Sequence, residues 1–213
     1  MSQEIKFTLL IGSFARGTHG ADSDVDILRI GHFDKVKLGF SVSNSNPISY
    51  IDFDIHDFTD IFEDGSLFLY HAFNEGVLID GDPESWYLLK EKFEVSSSFK
   101  KYIDEYAELL NFIKDYKGYE SSPLPYLSNI FMCAKNIGIF KLAEKKEYNF
   151  EKYMALTAGC GLSDEDARLL LKANTIYERT GKVKPDLMSA LERAAIEWKN
   201  NFEFKMDLLR NDK

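Results

Sequence analysis

Leu9-Leu10-Ile11-Gly12-Ser13-Phe14-Ala15-Arg16-Gly17-Thr18-His19-Gly20-Ala21-Asp22-Ser23-Asp24-Val25-Asp26-Ile27-Leu28-Arg29-Ile30 is the stretch that decides the fold. It reads as a buried strand, a glycine-containing turn that opens a short helix, a polar loop, and a second strand begun by an Asp-x-Asp pair. Side chains alternate along an extended strand, so Asp24 and Asp26 project to one face while Val25 and Ile27 pack behind them. Two carboxylates held that close repel each other, and a divalent cation shared between their oxygens relieves the repulsion. Gly12-Ser13 directly follows an apolar strand, where a small residue lets the backbone turn sharply and present N–H groups and a hydroxyl to a phosphate.

Other readings of the same residues are weaker. Asp22-x-Asp24-x-Asp26 matches the opening of a calcium loop, but Ile27 stands where the turn glycine is needed and Phe33 where the bidentate glutamate belongs. The chain contains no G-x-x-x-x-G-K-[ST] pattern, which argues against a P-loop. The plain alternative for Asp24 and Asp26 is a solvated strand face.

An apolar run, Gly12-Ser13, about ten residues and then Asp24-Val25-Asp26-Ile27 resemble the signature of the polymerase-beta-like nucleotidyltransferase superfamily. Gly-Ser-x-Ala-Arg-Gly followed by Ser-Asp-x-Asp is particularly similar to the minimal and aminoglycoside-type nucleotidyltransferases. The resemblance implies a third carboxylate on a later strand. Ile48-Ser49-Tyr50-Ile51-Asp52-Phe53-Asp54-Ile55-His56 has the β-branched and aromatic alternation of a strand, with Asp52 and Asp54 on one face. Asp54 is favoured, because Asp54-Ile55-His56-Asp57-Phe58 runs into the next helix with the spacing such enzymes show; Asp52 stays open as the alternative.

At 213 residues, 45% hydrophobic and 29% charged, the chain is globular and long enough for one domain or two small ones. No long uncharged apolar run and no basic-then-apolar N-terminal pattern occur, so a cytoplasmic protein without a membrane partner is expected. Cys133 and Cys160 have no zinc-ligand spacing and read as reduced core thiols. Residues 1–95 carry 7 basic against 17 acidic side chains, whereas the remainder is nearly balanced. The acidic half lacks the basic stripe that a long nucleic-acid backbone requires, and a neutral or cationic acceptor suits it better.

Beyond the second strand, residues 31–46 read as a polar, turn-rich loop or short strand. A helix from Thr59 or Asp60 breaks at Gly65 and is capped near Gly76, and Val77-Leu78-Ile79 reads as a strand. Helical spacing then dominates: Tyr102 to Ile113 after a Ser96-Ser97-Ser98 cap, Leu127 to Ile137, a short helix over Phe150–Leu156, Leu169 to Ile176 behind a Ser163–Asp166 capping box, and one final helix from Pro185 to Leu209. The fold class is α+β: a small mixed nucleotidyltransferase sheet with flanking helices over residues 1–95, followed by a helical bundle over 96–213. The bundle contains no Arg-x4-6-His pattern, which argues against a fused ribonuclease.

The resemblance also implies chemistry. Asp24, Asp26 and Asp54 (alternatively Asp52) would hold Mg²⁺ or Mn²⁺ against ATP or another nucleoside triphosphate, with Gly12 and Ser13 at the terminal phosphates. A hydroxyl of a small-molecule or protein acceptor, or an RNA end, would attack the α-phosphorus near Asp54 and release pyrophosphate. Arg16 is a candidate phosphate contact or a salt-bridge residue; Lys135 is a candidate triphosphate contact or a snorkelling lysine. His19 and His32 flank the metal strand and are candidate pocket residues, and a homodimer that completes the pocket is allowed. The competing function is a weakly catalytic or inactive, antitoxin-like partner that acts by protein–protein binding.

Overall fold

The computed structural model describes residues 5–21, 23–34, 46–116, 118, 122–179 and 183–210. The chain divides into two compact units, Met1–Ser96 and Ser97–Lys213. The first contains β1 (Phe7–Ile11), α1 (Gly12–Ala15), β2 (Val25–Ile30), β3 (Ile48–Phe53), α2 (Ile55–Glu63), α3 (Leu67–Glu75), β4 (Val77–Asp80) and α4 (Pro83–Lys92). Its four strands lie in the order β3-β2-β1-β4. β1 is antiparallel to both β2 and β4, and β2 runs parallel to β3.

Every residue of β1 is buried, which explains its continuous apolar run: apolar matter covers both faces of this central strand. Phe7, Leu9, Ile11, Leu28 and Ile30 pack on one face with Phe58, Leu69, Ala72, Phe73 and Trp86 of α2, α3 and α4. Leu10, Val25 and Ile27 pack on the other with Phe14, Ala15 and Ile79. The sheet is thus closed by three helices on one side and by the short α1 on the other.

Local chemistry sets the helix boundaries. α2 begins at Ile55, earlier than the expected Thr59 or Asp60, because the Asp54 carboxylate accepts a hydrogen bond from the Asp57 N–H at 2.8 Å and caps it. α4 was not anticipated, although its start carries a sufficient signal: Asp82 caps through the Ser85 N–H at 3.0 Å, and Pro83 occupies the first turn. α4 brings Trp86 against Phe7 and Phe73, at ring-centroid distances of 5.1 and 4.5 Å. Gly65 separates α2 from α3 as expected, and Ser66 caps the latter through the Phe68 N–H. Most of the expected 31–46 loop, residues 35–45, lies outside the described residues.

The second unit contains α5 (Lys100–Asp115), α6 (Pro123–Glu144), α7 (Lys152–Met154) running into a π-helical turn (Ala155–Gly159), α8 (Asp164–Arg179), α9 (Pro185–Asn200) and α10 (Phe202–Arg210). α6 is its central helix, with Leu127, Ile130, Ala134 and Ile137 wholly buried in a core shared with Leu110, Leu156, Leu170, Ala173 and Leu191. Gly138 of α6 and Gly159 of the π-helical turn pack backbone on backbone, and a Cβ on either would run into main-chain atoms of the other segment. At the N-terminus of α5 Ser98 of the expected serine run accepts from the Lys100 N–H at 3.4 Å, and the Glu144 carboxylate of α6 adds to it by accepting from the Phe99 N–H and, at 3.1 Å, from the Ser98 hydroxyl. Ser163 caps α8 as expected, its hydroxyl accepting from the Asp166 N–H at 3.1 Å. The expected single terminal helix is broken at Asn201, yet Trp198, Phe202, Met206 and Leu209 continue one buried stripe across the break. Among the described residues, no helix is long and apolar enough to cross a membrane.

Candidate functional site

Antiparallel pairing sets Ile11, the last residue of β1, opposite Asp26 near the start of β2. Gly12 turns the chain immediately afterwards with φ +69°, a conformation that costs a residue with a Cβ about 1–2 kcal/mol. Space enforces the same choice, because a Cβ on Gly12 would stand 2.5 Å from Asp26 Oδ2. The half-buried carboxylate and the bare backbone of the turn therefore share one corner of the sheet, with Ser13 next in the chain. The turn is tightened by N–H donors from Arg16 to the Gly12 carbonyl, Gly17 to Phe14 and Thr18 to Ser13, at 2.9–3.2 Å.

The loop that delivers Asp24 is stapled. The Gly20 N–H donates to the Ser23 hydroxyl at 2.9 Å. Asn46, ahead of β3, donates its side-chain amide to the Ala21 and Ser23 carbonyls at 2.9 and 2.8 Å. The Val25 N–H reaches the Pro47 carbonyl at 2.9 Å. Asp24 is thus exposed at the head of β2, between two anchored residues and on the face that alternation gives to Asp26. Sequence reading passed over Asn46; the signal was an Asn-Pro step just before a strand. The His19 ring stacks on Phe14 within the same loop, with centroids 3.9 Å apart and planes 8° apart. Asp22, the first acidic residue of the calcium-loop reading, lies outside the described residues.

β3 does not bring its aspartates to this corner. The parallel register sets Asp26 beside Ser49, Ile27 beside Tyr50 and Arg29 beside Asp52. Ser49 therefore shares the face of Asp26, while Asp52 lies three positions on, about 10 Å along the strand and on the opposite face. Asp52 is occupied there in a bidentate pair, accepting from Arg29 Nε at 2.8 Å and Nη2 at 2.7 Å. These bonds hold its carboxyl below the usual carboxylate range. The same guanidinium donates to the Phe33 and Asp34 carbonyls and lies 4.1 Å from the centroid of the Tyr50 ring. Asp54 is five positions past Ser49, about 16 Å along the strand direction, where it caps α2. Neither Asp54 nor Asp52 stands with Asp24 and Asp26 in this geometry, because strand register assigns one to a helix cap and the other to a buried arginine.

The cationic candidates also have local partners. Arg16 donates from Nη1 to Glu75 Oε2 of α3 at 3.0 Å, with His71 Nε2 at 3.4 Å; of its two expected roles, this geometry is that of a salt bridge. Burial holds the His71 imidazole below its ordinary range, a trend that Glu75 opposes and Arg16 reinforces. Lys135 lies half-buried on α6 in the second unit, where burial lowers its affinity for a proton, Lys152 lowers it further and Glu178 offsets part of the effect. His32 is engaged with the Thr8 hydroxyl at 3.1 Å; Thr8 pairs with Arg29 rather than with the Asp26 end of β2. His56 pairs with Asp60 on the surface of α2. Burial pushes both Cys133 and Cys160 up to about 12, consistent with inert core thiols.

Among the described residues, no group of three or more His, Cys, Asp or Glu side chains is placed to hold a metal ion. A pair of carboxylates beside a turn with no room for a Cβ fits Mg²⁺, which characteristically takes one or two protein carboxylates and completes its shell with substrate phosphates and water.

Comparison with known families places residues 2–121 under a model described as a nucleotidyltransferase domain. No curated protein matches the chain.

Proposed function

The chain belongs to the nucleotidyltransferase-domain family, and from that premise we propose that it transfers a nucleoside monophosphate, AMP from ATP, to a hydroxyl of a small-molecule or protein acceptor with release of pyrophosphate. The observation that carries this reading is the packing of the bare Gly12 backbone against the Asp26 carboxylate, where a Cβ on residue 12 would stand 2.5 Å from Oδ2. Asp24 and Asp26 would hold Mg²⁺ or Mn²⁺, and the Gly12 backbone and Ser13 hydroxyl would receive the terminal phosphates. The bound cation would supply charge neutralisation as pyrophosphate leaves.

The chain's own residues do the positioning. Arg29 and Asn46 tie down the segments on either side of β2, so the two carboxylates meet the triphosphate without a search through loop conformations. Arg16 stiffens the turn from behind by its bond to Glu75. The net negative charge of residues 1–95 favours a neutral or cationic acceptor. Asp54 is assigned to capping α2 in this reading rather than to taking the acceptor's proton.

A second reading, a weakly catalytic partner that acts by protein binding, is favoured by one specific observation. The β3 residue beside Asp26 is Ser49, and the nearest β3 aspartate in sequence is locked onto Arg29. Incubating the full chain with Mg²⁺, α-labelled ATP and pools of hydroxyl acceptors tests both. Label transfer that disappears in Asp24→Ala supports the transferase. Nucleotide binding without transfer to any acceptor, together with a co-purifying protein, supports the second reading and overturns the first.

A further inference from the structure

Resting on the metal–nucleotide reading of the same corner, we infer that Ser49 sets its metal count, holding the site to a single divalent cation beside the nucleotide. Ser49 and Asp26 are register partners on adjacent parallel strands, so their side chains leave the sheet on one face with Cβ atoms about 5 Å apart. Oxygens carried on such a pair are close enough to share a cation at Mg–O distances of about 2 Å. In a two-ion site the ions sit about 3.5–4 Å apart, and position 49 is the place on β3 from which a further carboxylate would reach Asp26 and share the second ion. In this chain it carries a neutral hydroxyl.

The other acidic groups of β3 and its flank do not substitute. Asp52 faces the opposite side of the sheet and is neutralised by a two-point bond to Arg29. Asp54 spends one oxygen on the Asp57 N–H. Ser49 itself is exposed on an edge strand, so a larger side chain there meets solvent rather than the core.

The test counts Mn²⁺ ions by electron paramagnetic resonance on the full chain with a non-hydrolysable ATP analogue. Wild type, Ser49→Asp, Ser49→Asn and Asp24→Ala are compared, each checked for native circular dichroism. The expected result is one nucleotide-dependent Mn²⁺ per chain in wild type and in Ser49→Asn, and two in Ser49→Asp. Should Ser49→Asp fail to fold, Ser49→Glu is read by the same criterion. The inference is overturned if the carboxylate variant still binds one ion with wild-type affinity, or if wild type already binds two. A wild type with no nucleotide-dependent Mn²⁺, or binding that survives Asp24→Ala, instead sinks the metal–nucleotide reading on which the inference stands.

Discussion

Replacing Gly12 by alanine isolates the contact on which the proposed site depends, because the molecule contains its own control. Gly12 and Gly17 share a φ of +69°, but a Cβ on Gly12 meets Asp26 Oδ2 at 2.5 Å whereas one on Gly17 meets nothing within 4 Å. Both alanine variants carry the left-handed penalty of about 1–2 kcal/mol. Referred to a unit of this size, each such kcal/mol lowers the melting temperature by roughly 4–8 °C. Only Gly12→Ala must also drive the Asp26 carboxylate away, since ordinary van der Waals contact begins at 3.4 Å. A displacement of about 1 Å in a reacting group is enough to cost roughly 100-fold in rate. Gly12→Ala is therefore expected to lose about that factor in label transfer from ATP and to weaken nucleotide-dependent Mn²⁺ binding, while Gly17→Ala shares the left-handed part of the melting shift but keeps both functions. Differential scanning fluorimetry and the transfer assay run side by side decide it. Equal transfer and equal Mn²⁺ binding in the two variants would refute the claim that the turn and Asp26 form one site.

Three further outcomes follow from charges and their partners. Because Arg29 lowers the Asp52 pKa in the folded chain, this pair stabilises the protein above the unfolded carboxylate value near 3.8 and is lost as pH falls through the lower folded value; Asp52→Asn should flatten the acid limb of melting temperature against pH below about 4 while leaving Mn²⁺ binding unchanged. Burial depresses the His71 pKa from 6.5, so its contribution is present above that value and lost as pH falls through the folded one; melts between pH 7 and 5 should fall less steeply for His71→Gln than for wild type. In the second unit Lys205 is 7% exposed and its ammonium is paired with Asp166. Asp166→Ala should cost about 3–5 kcal/mol in urea denaturation, and the double variant Asp166→Leu/Lys205→Met should recover most of it.

Some elements were legible because their causes are local. Burial on both sides makes β1 a run of apolar residues; Ser163 and Asp166 mark a helix start by a reciprocal hydrogen bond; Gly65 and the prolines punctuate as their backbones require. α4 was missed although Asp82-Pro83 announces it, because a weakly amphipathic surface helix offers little periodic signal beyond its cap. At the start of α5 Ser98 was legible, but the carboxylate that reinforces it was not, because Glu144 lies 45 residues away from Phe99.

From the sequence alone came the strand–turn–strand motif, the α+β class, and the expectation that Gly12-Ser13 and the Asp24/Asp26 pair share one corner, since alternation and turn chemistry depend only on neighbours along the chain; the structure adds the contact of Gly12 with Asp26. Which β3 residue stands beside Asp26 was decided by tertiary structure. Two parallel strands separated by a long connection carry no local mark of their register, and a slip of one residue exchanges the faces of every side chain. That parity puts Ser49 next to Asp26 and turns Asp52 away to Arg29.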